Sequence, residues 1–187
     1  PPTRVVLVTG SAKRLGREIA LELARQGWQV AVHYRDSVQE AQQTAAQCAE
    51  LSGKSLSFRT NLANETAVRR LLPSVIDHFG QVDAVVNSAS TFEHDNAASF
   101  GFAAMEKHMR SNTGAAIVLA QALHAHIVAR RAEASKAHAV ATPNALDQAA
   151  GKAQPEPQSQ QQQQKQQAPL QPQGAVINLL DQKLWNQ

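Results

Sequence analysis

The run Val5-Val6-Leu7-Val8, followed at once by Thr9-Gly10-Ser11-Ala12-Lys13-Arg14-Leu15-Gly16, narrows the folds open to this chain more than any other stretch. Consecutive, mostly β-branched residues without polar alternation read as a strand buried on both faces. The glycine-flanked turn then leads into a helix over about 15–26, with Leu15, Ile19, Ala20 and Leu23 on its expected buried face and Gly27 as its stop.

The same unit repeats downstream. Val30–Tyr34 reads as a second strand, 38–51 as an Ala- and Gln-rich helix closed by Ser52-Gly53, and 55–60 as an alternating third strand. Residues 64–79 form a helix with Val68, Leu71, Leu72, Val75, Ile76 and Phe79 inward and Gly80 at its end; 82–87 is a fourth strand. The span 97–131 is mostly helical in two pieces, and its part 115–123 is apolar nearly all round, which predicts full burial. Val176–Leu180 is a fifth strand. Strands and helices alternating with short links predict an α/β fold, a Rossmann-like doubly wound parallel sheet covered on both faces.

Length and composition set bounds. At 187 residues the chain suits a single domain, 1–187. No apolar run reaches the roughly 18–20 residues of a membrane span, and the N-terminal stretch is too short for a signal peptide, so no membrane role is expected. Cys48 is the single cysteine, which rules out an internal disulfide and fits a cytoplasmic location. Net charge is +3 with Lys and Arg scattered, so no nucleic-acid partner is expected. Residues 154–173 hold eleven Gln and four Pro, too little apolar surface to offset ordering entropy, and about 132–173 is expected to be a mobile insertion. It reads either as a passive linker or as a Gln-rich element that docks a partner.

A glycine turn between strand and helix has a chemical use. Backbone without side chains can approach a pyrophosphate closely, and the helix start offers unpaired N–H groups and the positive end of a dipole. Gly10 and Gly16 flank such a turn here, and Thr9 and Ser11 supply hydroxyls. A tight turn that binds nothing is the plainer alternative. His124, His126 and His138 have no ligand-spaced partners and read as spare polar groups; no metal site is expected. Cys48 falls on an outer helix with no activating neighbour.

Thr9-Gly10-x-x-x-Arg14-x-Gly16 resembles the T-G-x-x-x-G-x-G turn of the short-chain dehydrogenases/reductases, with Arg14 in place of the middle glycine. Ala12-Lys13-Arg14-Leu15-Gly16, Val86-Asn87-Ser88-Ala89-Ser90-Thr91-Phe92 and Ile177-Asn178-Leu179-Leu180-Asp181 resemble the pteridine reductase branch in particular. The resemblance covers about 1–131 and 174–187. It implies NADP(H) as cofactor and a pterin-like small molecule as substrate. Cofactor contacts would come from Gly10, Ser11, Lys13, Arg14, Leu15, Gly16, His33, Tyr34, Arg35, Ser37, Asn61, Leu62, Asn87, Ser88 and Ala89. Ser90 and Phe92 would stand at the substrate mouth, where the branch stacks a pterin on the matching Phe; Phe92 as core packing is an equal reading. Asn112 matches the family's helix Asn, which holds a water in the proton relay, though a polar residue that bends a helix would look the same. Asp181 stands where most of the family has a catalytic Ser.

The choice of NADP(H) also has a physical basis. An Asp at the end of the second strand would bind a ribose 2′-hydroxyl and repel a 2′-phosphate. This strand ends His33-Tyr34-Arg35-Asp36-Ser37, where Arg35, with Arg14, offers charge-assisted bonds to phosphate and Ser37 and His33 are further donors. Asp36 argues the other way if it turns inward, and solvated strand-end charges are the alternative.

The pattern breaks at the proton donor. The family uses a Tyr with a Lys four residues later, the Lys lowering the Tyr pKa. Tyr34 is the only tyrosine and belongs to the cofactor half; Lys183 has no Tyr to pair with. The sheet is therefore expected to be incomplete at its C-terminal side and this chain alone to be inactive, the gene product being truncated or the sequence partial. The apolar edge of the fifth strand is expected to drive self-association or homo-oligomerisation. The alternatives to an NADPH-dependent oxidoreductase are a non-catalytic NADP(H)-binding module and a Gln-rich interaction protein.

Overall fold

The computed structural model describes residues 3–93, 96, 98–141 and 173–179. In chain order these form β1 (Val5–Thr9), α1 (Arg14–Arg25), β2 (Gln29–Tyr34), α2 (Val38–Ser52), β3 (Ser55–Arg59), α3 (Glu65–Phe79), β4 (Ala84–Asn87), α4 (Phe102–His108), a π-helical turn (Met109–Gly114), α5 (Ala115–Ala141) and β5 (Ala175–Asn178). The five strands are all parallel in the order β3-β2-β1-β4-β5. The strand order reverses beside β1, and that reversal places a crevice at the carboxyl ends of β1 and β4.

The apolar run that opens the chain explains the layering. Successive side chains of a strand point to opposite faces. Val5 and Leu7 join Leu72, Val75, Val85 and Leu119 under α3 and α5. Val6 and Val8 join Ala20, Ala24, Val30, Val32 and Val86 under α1 and α2. β1 is central and needs apolar side chains on both sides; each fully buried Val or Leu contributes about 1.5–3 kcal/mol of burial. Gly27, Gly53 and Gly80 follow or cap the ends of α1, α2 and α3 with left-handed backbone, as expected of helix stops.

Three expectations are corrected. The buried face of α1 is Gly16, Ala20, Leu21 and Ala24, while Leu15 is 64% exposed. The phase is set by close approach rather than by bulk: a Cβ on Gly16 would lie 2.4 Å from the Gly10 carbonyl oxygen, so the small residues at 16, 20 and 24 face the sheet. Helix α5 is buried along one stripe only, Ala115, Leu119, Leu123 and Ile127, and Ile117 is 54% exposed. That helix also continues to Ala141, so 132–141 belong to it and not to an insertion. The remainder of the expected insertion, 142–172, lies outside the described residues, as does Leu180 of the expected fifth strand.

The end of the sheet away from the crevice is held by a polar cluster. The Asp83 carboxylate accepts from the Val5 N–H at 2.9 Å, from Gln81 Nε2 at 3.0 Å and from Arg130 Nη1 at 2.7 Å. Arg130 also donates to Gln81 Oε1, tying α5 to the strand starts. His126 is not a spare group: its Nε2 accepts the Val82 N–H at 3.2 Å. Burial, then the Arg130 charge, hold its pKa below the usual value, which keeps that nitrogen an acceptor. No helix among the described residues is long and apolar enough to cross a membrane.

Candidate functional site

An open cleft of about 1400 Å³ lies at the carboxyl ends of the strands. It is larger than the roughly 300–1,000 Å³ of ordinary small-molecule sites, which suits an extended ligand. One bank is the glycine turn with the β2 end; the other is the segment after β4 with the π-helical turn.

The glycine turn is built from fixed contacts. Gly10 has φ +66°, and a Cβ there would lie 2.7 Å from Ala89 Cα, so a side chain would push the two banks apart. Thr9 Oγ1 accepts the N–H groups of Ser88 and Ala89, each at 3.0 Å, and joins the banks from beneath. Ser11 is fully buried and its hydroxyl donates to Val8 O at 2.7 Å. The hydroxyls of Thr9 and Ser11 therefore brace the turn instead of facing a ligand, correcting their expected use. Thr44 donates to Ala12 O at 3.0 Å and fixes the turn to α2.

Arg14 adopts φ +56°, alone among the described non-glycine residues in that region. Left-handed backbone costs an L-residue about 1–2 kcal/mol, so the middle-glycine geometry is kept although the glycine is not. Its side chain is exposed at the cleft, and no ion pair holds it among the described residues. Lys13 approaches Glu40 at 3.8 Å, and Arg35 pairs with Asp36 at 2.6 Å, both exposed. Asp36 is thus matched by its neighbouring cation. Ser37 precedes α2 without a capping bond from its hydroxyl, and Tyr34, Ser37 and Leu15 all line the cleft.

His33 departs from its expected role as a phosphate donor. Its Nδ1 accepts the Gly10 N–H at 3.0 Å and its Nε2 pairs with Thr60 O at 3.1 Å, so both ring nitrogens are occupied. Burial pushes its pKa down to about 4, against a smaller upward pull from the Thr60 carbonyl, and the ring is neutral. Asn61 Oδ1 accepts the Ala63 N–H at 3.0 Å, shaping the loop after β3, and Leu62 is buried beside it.

On the second bank, Ser88, Ala89, Ser90 and Phe92 line the cleft. Asn87 sits below it and its amide donates to Asn178 Oδ1 at 2.8 Å. Phe92 is 55% exposed, which removes the core-packing reading. Asn112 lies in the π-helical turn; its Oδ1 accepts the Thr91 N–H at 2.8 Å and its Nδ2 donates to Thr91 O at 3.0 Å. Its amide thus clamps both backbone groups of Thr91. Lys107 pairs with Glu93 at the rim, and that contact holds the Glu93 carboxyl below the usual range. Asp181 and Lys183 lie outside the described residues. The sequence reading missed Lys107, Glu93 and Asn178 as cleft-lining groups; only the position of Asn178 near a strand end signalled it. Cys48 is buried, and burial pushes its thiol up to about 11, so it is unreactive.

Residues 4–145 match the short chain dehydrogenase family. The chain belongs to the short-chain dehydrogenase family. This short-chain dehydrogenase is 34% identical over 87 residues to 3-oxoacyl-[acyl-carrier-protein] reductase FabG of Staphylococcus aureus, covering 46% of this chain and 35% of that protein. It is 28% identical over 124 residues to hydroxynaphthalene reductase-like protein Arp2 of Metarhizium robertsii, covering 66% and 46%. A short chain dehydrogenase from Burkholderia cenocepacia J2315, solved in complex with NADP, is similar with a TM-score of 0.63 at 31% identity, over 66% of this chain and 50% of that one. Acetoin dehydrogenase YohF from Salmonella typhimurium shares the fold, with a TM-score of 0.64 at 23% identity, over 68% and 50%. The chain spans about half the length of these solved relatives, and 35% and 46% of the two curated ones.

Proposed function

We propose that this short-chain dehydrogenase binds NADPH in preference to NADH and is the cofactor-binding part of an oxidoreductase of the pteridine reductase type. The observation that carries the reading is the cationic rim at the adenosine end of the cleft. Arg14 stands exposed at the turn, and Arg35 pairs with Asp36, the acid at the end of β2. The NADP complex of the Burkholderia relative supports the same choice. The cradle fits a dinucleotide: the turn rejects side chains at Gly10 and Gly16, and the first N–H groups of α1 have no intrahelical partner.

Bound NADPH supplies a hydride to an electrophilic ring or carbonyl carbon. Arg14 and Arg35 would hold its 2′-phosphate, Leu62 and Asn61 would flank the adenine, and Ser88 and Ala89 would follow the nicotinamide side. Phe92 and Ser90 receive a flat heteroaromatic ring, and Phe92 stacks on it. Asn112 keeps that mouth in shape through Thr91. Tyr34, the one tyrosine of these 187 residues, lies at the adenosine end, so on the reductase reading the proton donor is not among them. A single NADP(H)-binding domain over 1–187, with self-association through exposed β5, completes the proposal. The second reading is a non-catalytic NADP(H)-binding module.

Stopped-flow fluorescence of the 187-residue chain separates the two. On the reductase reading, dihydrobiopterin quenches the fluorescence of the NADPH complex and Phe92→Ala abolishes the quench, with steady turnover of dihydrobiopterin or dihydrofolate absent. Absence of any pterin effect leaves the binding module alone; steady NADPH oxidation at a normal enzyme rate overturns the module and the proton-transfer argument together.

A further inference from the structure

His33 sits at a junction that the chemistry of the cleft does not use directly. Its backbone carbonyl accepts the Ser11 N–H at 3.0 Å, and its ring Nδ1 accepts the neighbouring Gly10 N–H at 3.0 Å. Two successive N–H groups of the glycine turn are therefore held by one residue of β2. On its other side the ring meets Thr60 O at 3.1 Å, and the Thr60 N–H donates to Tyr34 O at 2.9 Å. Gly10 and Thr60 both line the cleft, one in the turn before α1 and the other at the start of the loop after β3. The ring spans the gap between them inside β2, with 2% of its surface exposed.

The donor pattern fixes the tautomer. Gly10 brings a backbone N–H and so needs an acceptor, whereas Thr60 brings a carbonyl and needs a donor. Only the neutral Nε2–H form satisfies both, and burial keeps the ring neutral. A hydrophobic residue of equal size would leave the part-buried Gly10 N–H and the buried Thr60 carbonyl without these partners.

We propose that His33 is a positioning residue: it sets the distance between the glycine turn and the Thr60–Leu62 loop, so that the pyrophosphate and adenine ends of the cleft form one preorganised unit. The inference rests on the dinucleotide reading above but can fail separately from it. It assigns the ring no contact with the ligand.

Two conservative variants divide the two bonds. In His33→Asn, Oδ1 stands as far along the side chain as Nδ1 and keeps the Gly10 bond; in His33→Gln, Nε2 stands as far as the ring Nε2 and keeps the Thr60 bond. NADPH binding is measured by calorimetry on the unaltered chain, these variants and His33→Ala, alongside adenosine 2′-monophosphate, which occupies the adenosine end alone. With one bond lost in each, NADPH affinity should fall about tenfold in His33→Asn and His33→Gln, and about a hundredfold in His33→Ala. Adenosine 2′-monophosphate should change less than threefold in His33→Asn, His33→Gln and His33→Ala. Equal losses for NADPH and the monophosphate, or no rescue by either conservative variant, overturn the proposal in favour of a merely structural histidine. The ring itself supplies a readout that needs no ligand. Nitrogen-15 spectra should show an Nε2–H tautomer and slow exchange of the Gly10 amide that becomes fast in His33→Gln. An Nδ1–H tautomer, or a Gly10 amide equally fast in the unaltered chain, overturns it as well. If the unaltered chain binds no dinucleotide, the proposed function falls, and the tautomer and exchange measurements still decide for or against His33.

Discussion

The two banks of the cleft are built on different terms. Around the glycine turn the hydroxyls of Thr9 and Ser11, the ring of His33 and the hydroxyl of Thr44 are all engaged in bonds to backbone. Glycines there stand where a Cβ would collide with main chain. The opposite bank carries Phe92 half exposed, and is shaped by the Asn112 clamp on Thr91 and the Glu93–Lys107 pair at the surface. Buried backbone bonds resist rearrangement, whereas an exposed ion pair contributes little. The first bank is therefore preorganised, and the second can adapt its surface at small energetic cost.

The sharpest way to break this contrast is at Gly16. Replacing it with Ala puts a methyl 2.4 Å from the Gly10 carbonyl. The variant should lose about 4 kcal/mol of stability and more than 100-fold in NADPH affinity, read by urea melts and calorimetry. A fully stable Gly16→Ala protein would mean that the turn is not rigid.

Acid offers the next largest effect. His33 has a folded pKa of about 4 against an ordinary value of 6.5, so between those values the unfolded chain binds the extra proton. Its contribution is fully present above about pH 6.5 and is lost as pH falls toward 4, on the order of 3 kcal/mol. Urea melts at pH 7 and 4.5 should show this fall, and His33→Asn, which has no ring to protonate, should show a shallower one. Equal slopes would exclude the buried neutral ring.

Arg14→Gly should move two properties in opposite directions. Relief of left-handed backbone at φ +56° should raise stability by up to about 1 kcal/mol, while the NADPH-over-NADH preference falls about tenfold. The smallest change is expected on the second bank: Phe92→Ala should alter stability by less than about 0.5 kcal/mol, because its ring is 55% exposed. A larger loss would show that the mouth is packed as firmly as the turn.

The sequence carried the architecture well because its signals were strong and local. Runs such as Val5-Val6-Leu7-Val8 can be satisfied only by a sheet covered on both faces, and the glycines after each helix mark its stop. The phase of α1 was not legible, since backbone approach at Gly16 leaves no trace in hydrophobicity. The far end of α5 was missed for a related reason. Residues 132–141 have little apolar periodicity, but Ala, Glu and Lys favour a helix by intrinsic propensity alone. In the cleft, residue type announced polarity but not direction. His33 and Ser11 were placed as ligand donors, yet one accepts a backbone N–H and the other donates to a backbone carbonyl, and only the fold decides that.

The central claim, a cleft whose rigid bank selects a 2′-phosphorylated dinucleotide, is tested most directly by calorimetric titration of the 187-residue chain with NADPH and with NADH at one ionic strength. Each charge-assisted phosphate contact from Arg14 and Arg35 should be worth about 1.5–3 kcal/mol, so NADPH should bind at least about tenfold more tightly, and the Arg14→Ala, Arg35→Ala double variant should bind both alike. Equal affinities in the unaltered chain, or a preference that survives the double substitution, would contradict it.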